Sequence, residues 1–188
     1  MMKPHKDLPL GYRQALQLDL QTNGKLRYGI ALGATLICLF MVLLGNYIQP
    51  VRRYYRGQPE QAAYIFLGIL LYMILHEMVH GIFMWIFSGE PAHFKISMPF
   101  ACTRSDIYFH KPQYLIIALA PLLIWGIALG FACYFNLQNH WFWTFYIIEI
   151  VNMSGAASDL YVVWKFRKLP SEILIHDSGT AITLYVPA

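Results

Sequence analysis

Four long apolar runs dominate the chain, at residues 26–48, 62–87, 114–135 and 141–166. Each is long enough to cross a bilayer as a helix, which takes about 20 predominantly apolar residues. Pro121 falls inside the third run and is expected to kink it. The first run follows a mixed polar stretch that lacks a short apolar core and a small-residue cleavage site, so an uncleaved N-terminus is expected. Between the second and third runs the pattern changes. His93-Phe94-Lys95-Ile96-Ser97-Met98 alternates polar and apolar, stops at Pro99 and is followed by Thr103-Arg104-Ser105-Asp106. That reads as a short strand and hairpin, with a plain interfacial loop as the alternative. A free strand edge there can take an extended peptide by strand addition. No internal repeat, low-complexity tract or linker divides the chain. The expected fold is an all-α membrane protein of about four transmembrane helices with a short β-hairpin. It forms a single domain over residues 1–188, with residues 167–188 as a cytoplasmic tail.

Composition agrees with that pattern. At 57% hydrophobic and 13% charged, the 188 residues are too apolar for an ordinary soluble domain. Cys38 and Cys133 lie in apolar runs and Cys102 in a connecting segment, a spacing that suggests neither a zinc knuckle nor a disulfide framework. All three read as packing residues. The net charge of +4 does not indicate a nucleic-acid partner, because the basic residues cluster at the ends of apolar runs rather than along one polar face. The N-terminal arm (Lys3, Lys6, Arg13, Lys25, Arg27), the middle segment (Lys95, Arg104, Lys111) and the tail (Lys165, Arg167, Lys168) fall on one side of a four-span arrangement. Arg52, Arg53 and Arg56 fall on the other. By the positive-inside rule both termini are cytoplasmic, in a multi-pass protein of the cell membrane with the lipid bilayer as its partner.

The second run carries the chemistry. His76-Glu77-Met78-Val79-His80 puts two imidazoles and a carboxylate among apolar residues, where each is costly to bury. Four residues apart on a helix, the histidines share a face and can reach one metal ion. Glu77 sits about 100° further round, placed to act as general base toward a water at that ion. A structural His/Glu hydrogen-bond cluster between helices is the competing reading.

A catalytic zinc usually has three protein ligands and an open position. The fourth run offers Glu149, Asn152 and Asp159, which on one continuous helix fall within a sector of about 80°. The small residues Ser154-Gly155-Ala156-Ala157-Ser158 between them would allow close approach of the motif helix. His80 and Asp159 stand at the same distance from the ends of their runs, roughly 10 Å at 1.5 Å per residue. Asp159 is therefore the candidate third ligand, its alternative being a carboxylate that caps the Arg167/Lys168 end. Asn152 is a candidate substrate or oxyanion donor, or an interhelical hydrogen bond, and Glu149 is a supporting or packing residue. His93 is a fallback ligand, while His5, His110, His140 and His176 are expected to be mostly solvated. The extended pattern HExxHxxGxxH is absent, since Phe83 and Ile86 stand where it needs Gly and His.

With HEMVHG on one run and Asn152-Met153-Ser154-Gly155-Ala156-Ala157-Ser158-Asp159 on another, the chain resembles a membrane family described as putative zincin peptidases, distant relatives of the site-2 proteases. The resemblance includes Leu8-Pro9-Leu10-Gly11-Tyr12, Leu18-Asp19-Leu20, Leu119-Ala120-Pro121, Ile175-His176-Asp177 and the tail at 181–187. Similarity to site-2 proteases implies Zn²⁺ held by His76, His80 and Asp159, with Glu77 as general base. The chain departs from that family's Asn-x-x-Pro and Asp-Gly pattern, with Gly155 in place of the proline and Leu160 after Asp159. The expected function is zinc-dependent hydrolysis of a peptide or membrane-protein substrate at or within the membrane. Its rivals are a non-catalytic membrane protein with a structural cluster and an ion transporter, the latter disfavoured by the lack of a repeat.

Overall fold

The computed structural model describes residues 3–19, 22–54, 60–97 and 100–188. In chain order its elements are strand β1 (Tyr12–Asp19), helices α1 (Gly24–Ile48), α2 (Val51–Tyr54) and α3 (Glu60–Ser88), and strands β2 (His93–Ser97), β3 (Phe100–Arg104) and β4 (Tyr108–His110). Helices α4 (Lys111–Phe135), α5 (Trp141–Gly155) and α6 (Ala157–Phe166) follow, then strands β5 (Leu174–Asp177) and β6 (Ala181–Pro187). Met98, Pro99 and Arg56 lie outside the described residues, as does the side chain of Cys102.

Among the described residues α1, α3 and α4, of 25, 29 and 25 residues, are long and apolar enough to cross a membrane. Local signals bound them. Asn23 accepts the Leu26 N–H at 3.1 Å as an N-cap of α1. Gly89, with φ 75°, ends α3 by donating its N–H to the Trp85 carbonyl at 2.7 Å, a left-handed position that glycine adopts without penalty. The three helices leave large apolar side chains bare, among them Leu36, Phe40, Phe66, Leu71, Ile127 and Phe131. Patches of that kind belong against lipid rather than water. Pro121 lies inside α4 and does not end it.

The fourth run is not one helix. It breaks at Ala156 into α5 and α6, of 15 and 10 residues. Gly155, directly before the break, is a poor helix former, and the flanking Ser154 and Ser158 are weaker ones than alanine. Ala156 closes α5 through its N–H to the Asn152 carbonyl at 3.2 Å. Glu149 and Asn152 therefore belong to α5, and Asp159 stands in the first turn of α6, where the helix dipole favours a carboxylate.

The largest departure from an all-α expectation is a four-stranded antiparallel sheet of order β1-β6-β5-β4, besides the separate pair β2-β3. The N-terminal arm and the tail build it. Tyr12 stands opposite Pro187 and Asp19 opposite Ala181, with an irregularity between Gln14 and Leu16. β5 and β6 are joined through Gly179 at φ 80°, whose N–H donates to Asp177 Oδ1 at 2.8 Å. The tail is thus part of the fold rather than a loose extension.

The chain divides into two compact units. One comprises the segment ending at Gly29, Glu77–Pro121 and Asp159–Ala188. Its core joins Leu18, Ile182 and Leu184 of the sheet to Met84 of α3, Ile117 of α4 and Val162 and Phe166 of α6. The other comprises Ile30–His76 and Leu122–Ser158. There Met41, Cys133, Phe142, Trp143, Tyr146 and Ile150 form one cluster and Tyr72, Leu129 and Ile148 another. Close approach depends on glycine: a Cβ at Gly45 would lie 2.2 Å from the Tyr146 ring, and one at Gly68 would lie 2.6 Å from Ile148. Cys38 and Cys133 are free thiols.

Candidate metal centre

His76 and His80 lie one turn apart on α3. His76, His80 and Asp159 each offer a ligand atom, and these atoms all lie within 4.8 Å of one another. His80 Nε2 is 3.9 Å from Asp159 Oδ2. Two imidazole nitrogens and a carboxylate oxygen at that spacing fit a zinc ion, which binds such donors at about 2.0–2.2 Å.

The Nδ1 of each histidine has a hydrogen-bond partner. His80 Nδ1 is 2.9 Å from the carbonyl oxygen of Ile117 on α4. His76 Nδ1 is 2.7 Å from the hydroxyl of Tyr72, one turn earlier on α3, and that hydroxyl donates to Asn152 Oδ1 at 3.0 Å. Asn152, the candidate oxyanion donor, has no exposed surface. Its Nδ2 donates to Glu149 Oε2 at 3.1 Å and to the Leu122 carbonyl at 3.4 Å. Glu149, buried on α5, is thus the partner of Asn152.

Glu77 is held from β3. The Thr103 N–H donates to Glu77 Oε2 at 2.8 Å, and the Thr103 hydroxyl stands 2.9 Å from both Oε2 and the Glu77 carbonyl oxygen. Close to this end of α3, a Cβ on Gly81 would meet the Phe94 ring of β2 at 2.6 Å. Glycine directly after the motif lets the pair β2-β3 lie against the helix, and register pairs Phe94 with Thr103. Asp177, at the end of β5, accepts the Tyr114 hydroxyl at 2.6 Å. Burial raises its carboxyl above the ordinary value, and the hydrogen bonds from Tyr114 and Gly179 oppose that rise.

The remaining histidines separate clearly. His93 is exposed and 3.6 Å from Asp106 in an ion-pair geometry. His110, expected to be solvated, is buried at the end of β4, because the tail strands cover it and its ring stacks edge-on with His5. Sequence reasoning missed Tyr72, Thr103, Tyr114 and Asp177. Tyr72 alone had a visible signal, since Tyr72, His76 and His80 repeat at four-residue spacing on one helical face.

A donor set of two imidazoles and a carboxylate, with a glutamate beside the first histidine, is the equipment of a metal-dependent hydrolase. The chain belongs to the family described as "Putative zincin peptidase", which it matches over residues 69–174, a range that contains every residue of this centre. Comparison with curated proteins and with solved structures returns no match.

Proposed function

We propose that this protein is a zinc-dependent peptidase that hydrolyses peptide bonds of membrane-associated substrates at or within the bilayer. The observation that carries the reading is the convergence of His76, His80 and Asp159 with Glu77 anchored beside them. These three residues would hold Zn²⁺, which supplies Lewis acidity toward the scissile carbonyl and acidifies water. Glu77 takes the proton of the attacking water at its carboxylate and passes it to the leaving nitrogen. Thr103 keeps that carboxylate from swinging away. An extended substrate adds along the pair β2-β3, whose backbone is already tied to Glu77 through Thr103.

The sheet bears on topology. β1 and β6 pair from Tyr12↔Pro187 to Asp19↔Ala181, which supports a topology with both ends of the chain on one side of the membrane. That supports an even number of crossings, in which α5 and α6 together would supply a fourth beside α1, α3 and α4. The Lys and Arg bias assigns that shared side to the cytoplasm of a cell-membrane protein. Reporter fusions at either end should read cytoplasmic.

Elemental analysis of detergent-purified protein tests the metal assignment. About one zinc per chain is expected in wild type and in Glu77→Gln, and loss in His80→Ala and Asp159→Ala. Glu77→Gln should abolish cleavage of reconstituted single-span peptides while keeping the metal. Retained turnover in that variant, or a folded wild type that takes up no zinc when supplied with it, overturns the reading.

A further inference from the structure

A histidine that ligates through Nε2 must carry its proton on Nδ1, and in many zinc sites an outer partner fixes that choice. Both imidazoles here have such a partner, from two unrelated sources. For His80 the partner is the Ile117 carbonyl at 2.9 Å. Inside an α-helix the carbonyl of residue 117 is normally consumed by the N–H of residue 121. Residue 121 is proline, which has no N–H, and it sits within the continuous helix α4. The missing amide leaves the Ile117 oxygen available. A carbonyl only accepts, so His80 Nδ1 is protonated, and in the neutral ring the lone pair is on Nε2, the atom that faces Asp159.

For His76 the same logic runs through three side chains. Asn152 Nδ2 faces two acceptors, the Leu122 carbonyl and a Glu149 carboxyl oxygen, so the amide has one permitted orientation and presents Oδ1 to Tyr72. The Tyr72 hydroxyl has a single proton and gives it to Asn152. Toward His76 it therefore accepts, so His76 Nδ1 carries the proton and Nε2 the lone pair.

We propose that Pro121 and Tyr72 are positioning residues that lock both histidines as Nδ1–H tautomers, Pro121 by freeing the Ile117 carbonyl and Tyr72 by its place in the Asn152–Glu149 chain. The role rests on the metal assignment above for its purpose, but not for its detection. Asn152 belongs to this chain rather than beside the substrate.

The test is ¹⁵N NMR of metal-free protein carrying ¹⁵N-labelled histidine in detergent micelles at pH 8, with His76→Ala and His80→Ala for assignment, and zinc affinity measured by chelator competition. In wild type both residues should show the Nδ1–H pattern. Pro121→Ala restores the amide that recaptures the Ile117 carbonyl, and should convert His80 alone to a tautomer mixture. Tyr72→Phe should do so for His76 alone. Each should weaken zinc binding by about 10- to 100-fold. Asn152→Ala in the Tyr72→Phe background should add little, because both break the same chain. Tyr64→Phe, on the exposed part of α3, is the control that should change nothing. An Nε2–H tautomer at either histidine in wild type, or unchanged tautomers in both variants, overturns the proposal. A wild type that binds no zinc refutes the metal assignment instead, and the tautomer spectra still decide whether the lock exists.

Discussion

Thr103→Val isolates what β3 does for Glu77, the proposed general base. Thr103 is buried, with 5% of its surface exposed, and reaches Glu77 with two donors. Valine keeps the shape and the backbone N–H, so the 2.8 Å bond to Oε2 survives, and removes only the hydroxyl. One hydroxyl proton serves one acceptor at a time, so at most one hydrogen bond is lost. A bond to a charged group contributes about 1.5–3 kcal/mol, and because the carboxylate keeps a second donor we take the lower end. About 1.4 kcal/mol is a tenfold change in a rate or an equilibrium, so cleavage should fall roughly 10-fold. Zinc content should stay at the wild-type level, since Thr103 touches none of the three ligands. Thr103→Ser keeps the hydroxyl and should recover most of the loss. The assay is cleavage of a mixed-sequence pool of single-span peptides in liposomes, read by mass spectrometry with Glu77→Gln as the blank. Thr103→Val cleaving within twofold of wild type would refute the anchoring argument, and so would loss of its zinc.

Removing the metal with a chelator should lower the unfolding midpoint, because a ligand at 100 times its dissociation constant stabilises the folded state by about 2.7 kcal/mol; Asp159→Asn should show a much smaller chelator effect. Burial, and then the charge of His5, hold His110 below its ordinary value of 6.5. The unfolded chain therefore takes up that proton first, and stability contributed by the neutral form is lost as pH falls below about 6.5. His110→Phe should flatten thermal unfolding between pH 8 and pH 5 relative to wild type. Gly45→Ala puts a Cβ 2.2 Å from the Tyr146 ring, which stacks on Phe142 and donates its hydroxyl to the Met41 carbonyl. Overpacking of this kind costs about 1–3 kcal/mol, and detergent unfolding curves should show it with the zinc content unchanged.

The candidate ligand group of His76, His80 and Asp159 could be proposed from the sequence because its signal is local and rests on cost. Ionisable side chains inside an apolar helix are expensive, and His76 and His80 at helical spacing leave few other uses for them. Asp159 was reached by a route that the fold alters. The expectation set Glu149, Asn152 and Asp159 on one helical face, whereas the break at Ala156 separates Asp159 from the other two. The four-stranded sheet was not legible. β1 (YRQALQLD) and β6 (AITLYVP) are short, their apolar patterns differ, and nothing local says that residue 12 pairs with residue 187. Pairing of a mostly exposed strand with a mostly buried one at the opposite end of the chain leaves no shared periodic mark in the two segments.

Pro121 illustrates a second kind of illegibility. Read along the chain, a proline in an apolar run is a mechanical feature, a place where a helix bends. Helix α4 continues through it. What the residue changes is the hydrogen-bond ledger four positions earlier, where Ile117 has an oxygen to give and His80, from another helix, takes it up. The same accounting explains Tyr72, a residue that looks like one more aromatic in a membrane helix until its single proton is assigned. Both effects depend on which donor is missing or already spent, and a buried site in a low-dielectric surrounding makes each such shortage count. Residues chosen for an absent or committed proton carry no distinctive spacing, so a candidate metal group stands out in the sequence while the residues that would support it show only through their hydrogen-bond partners.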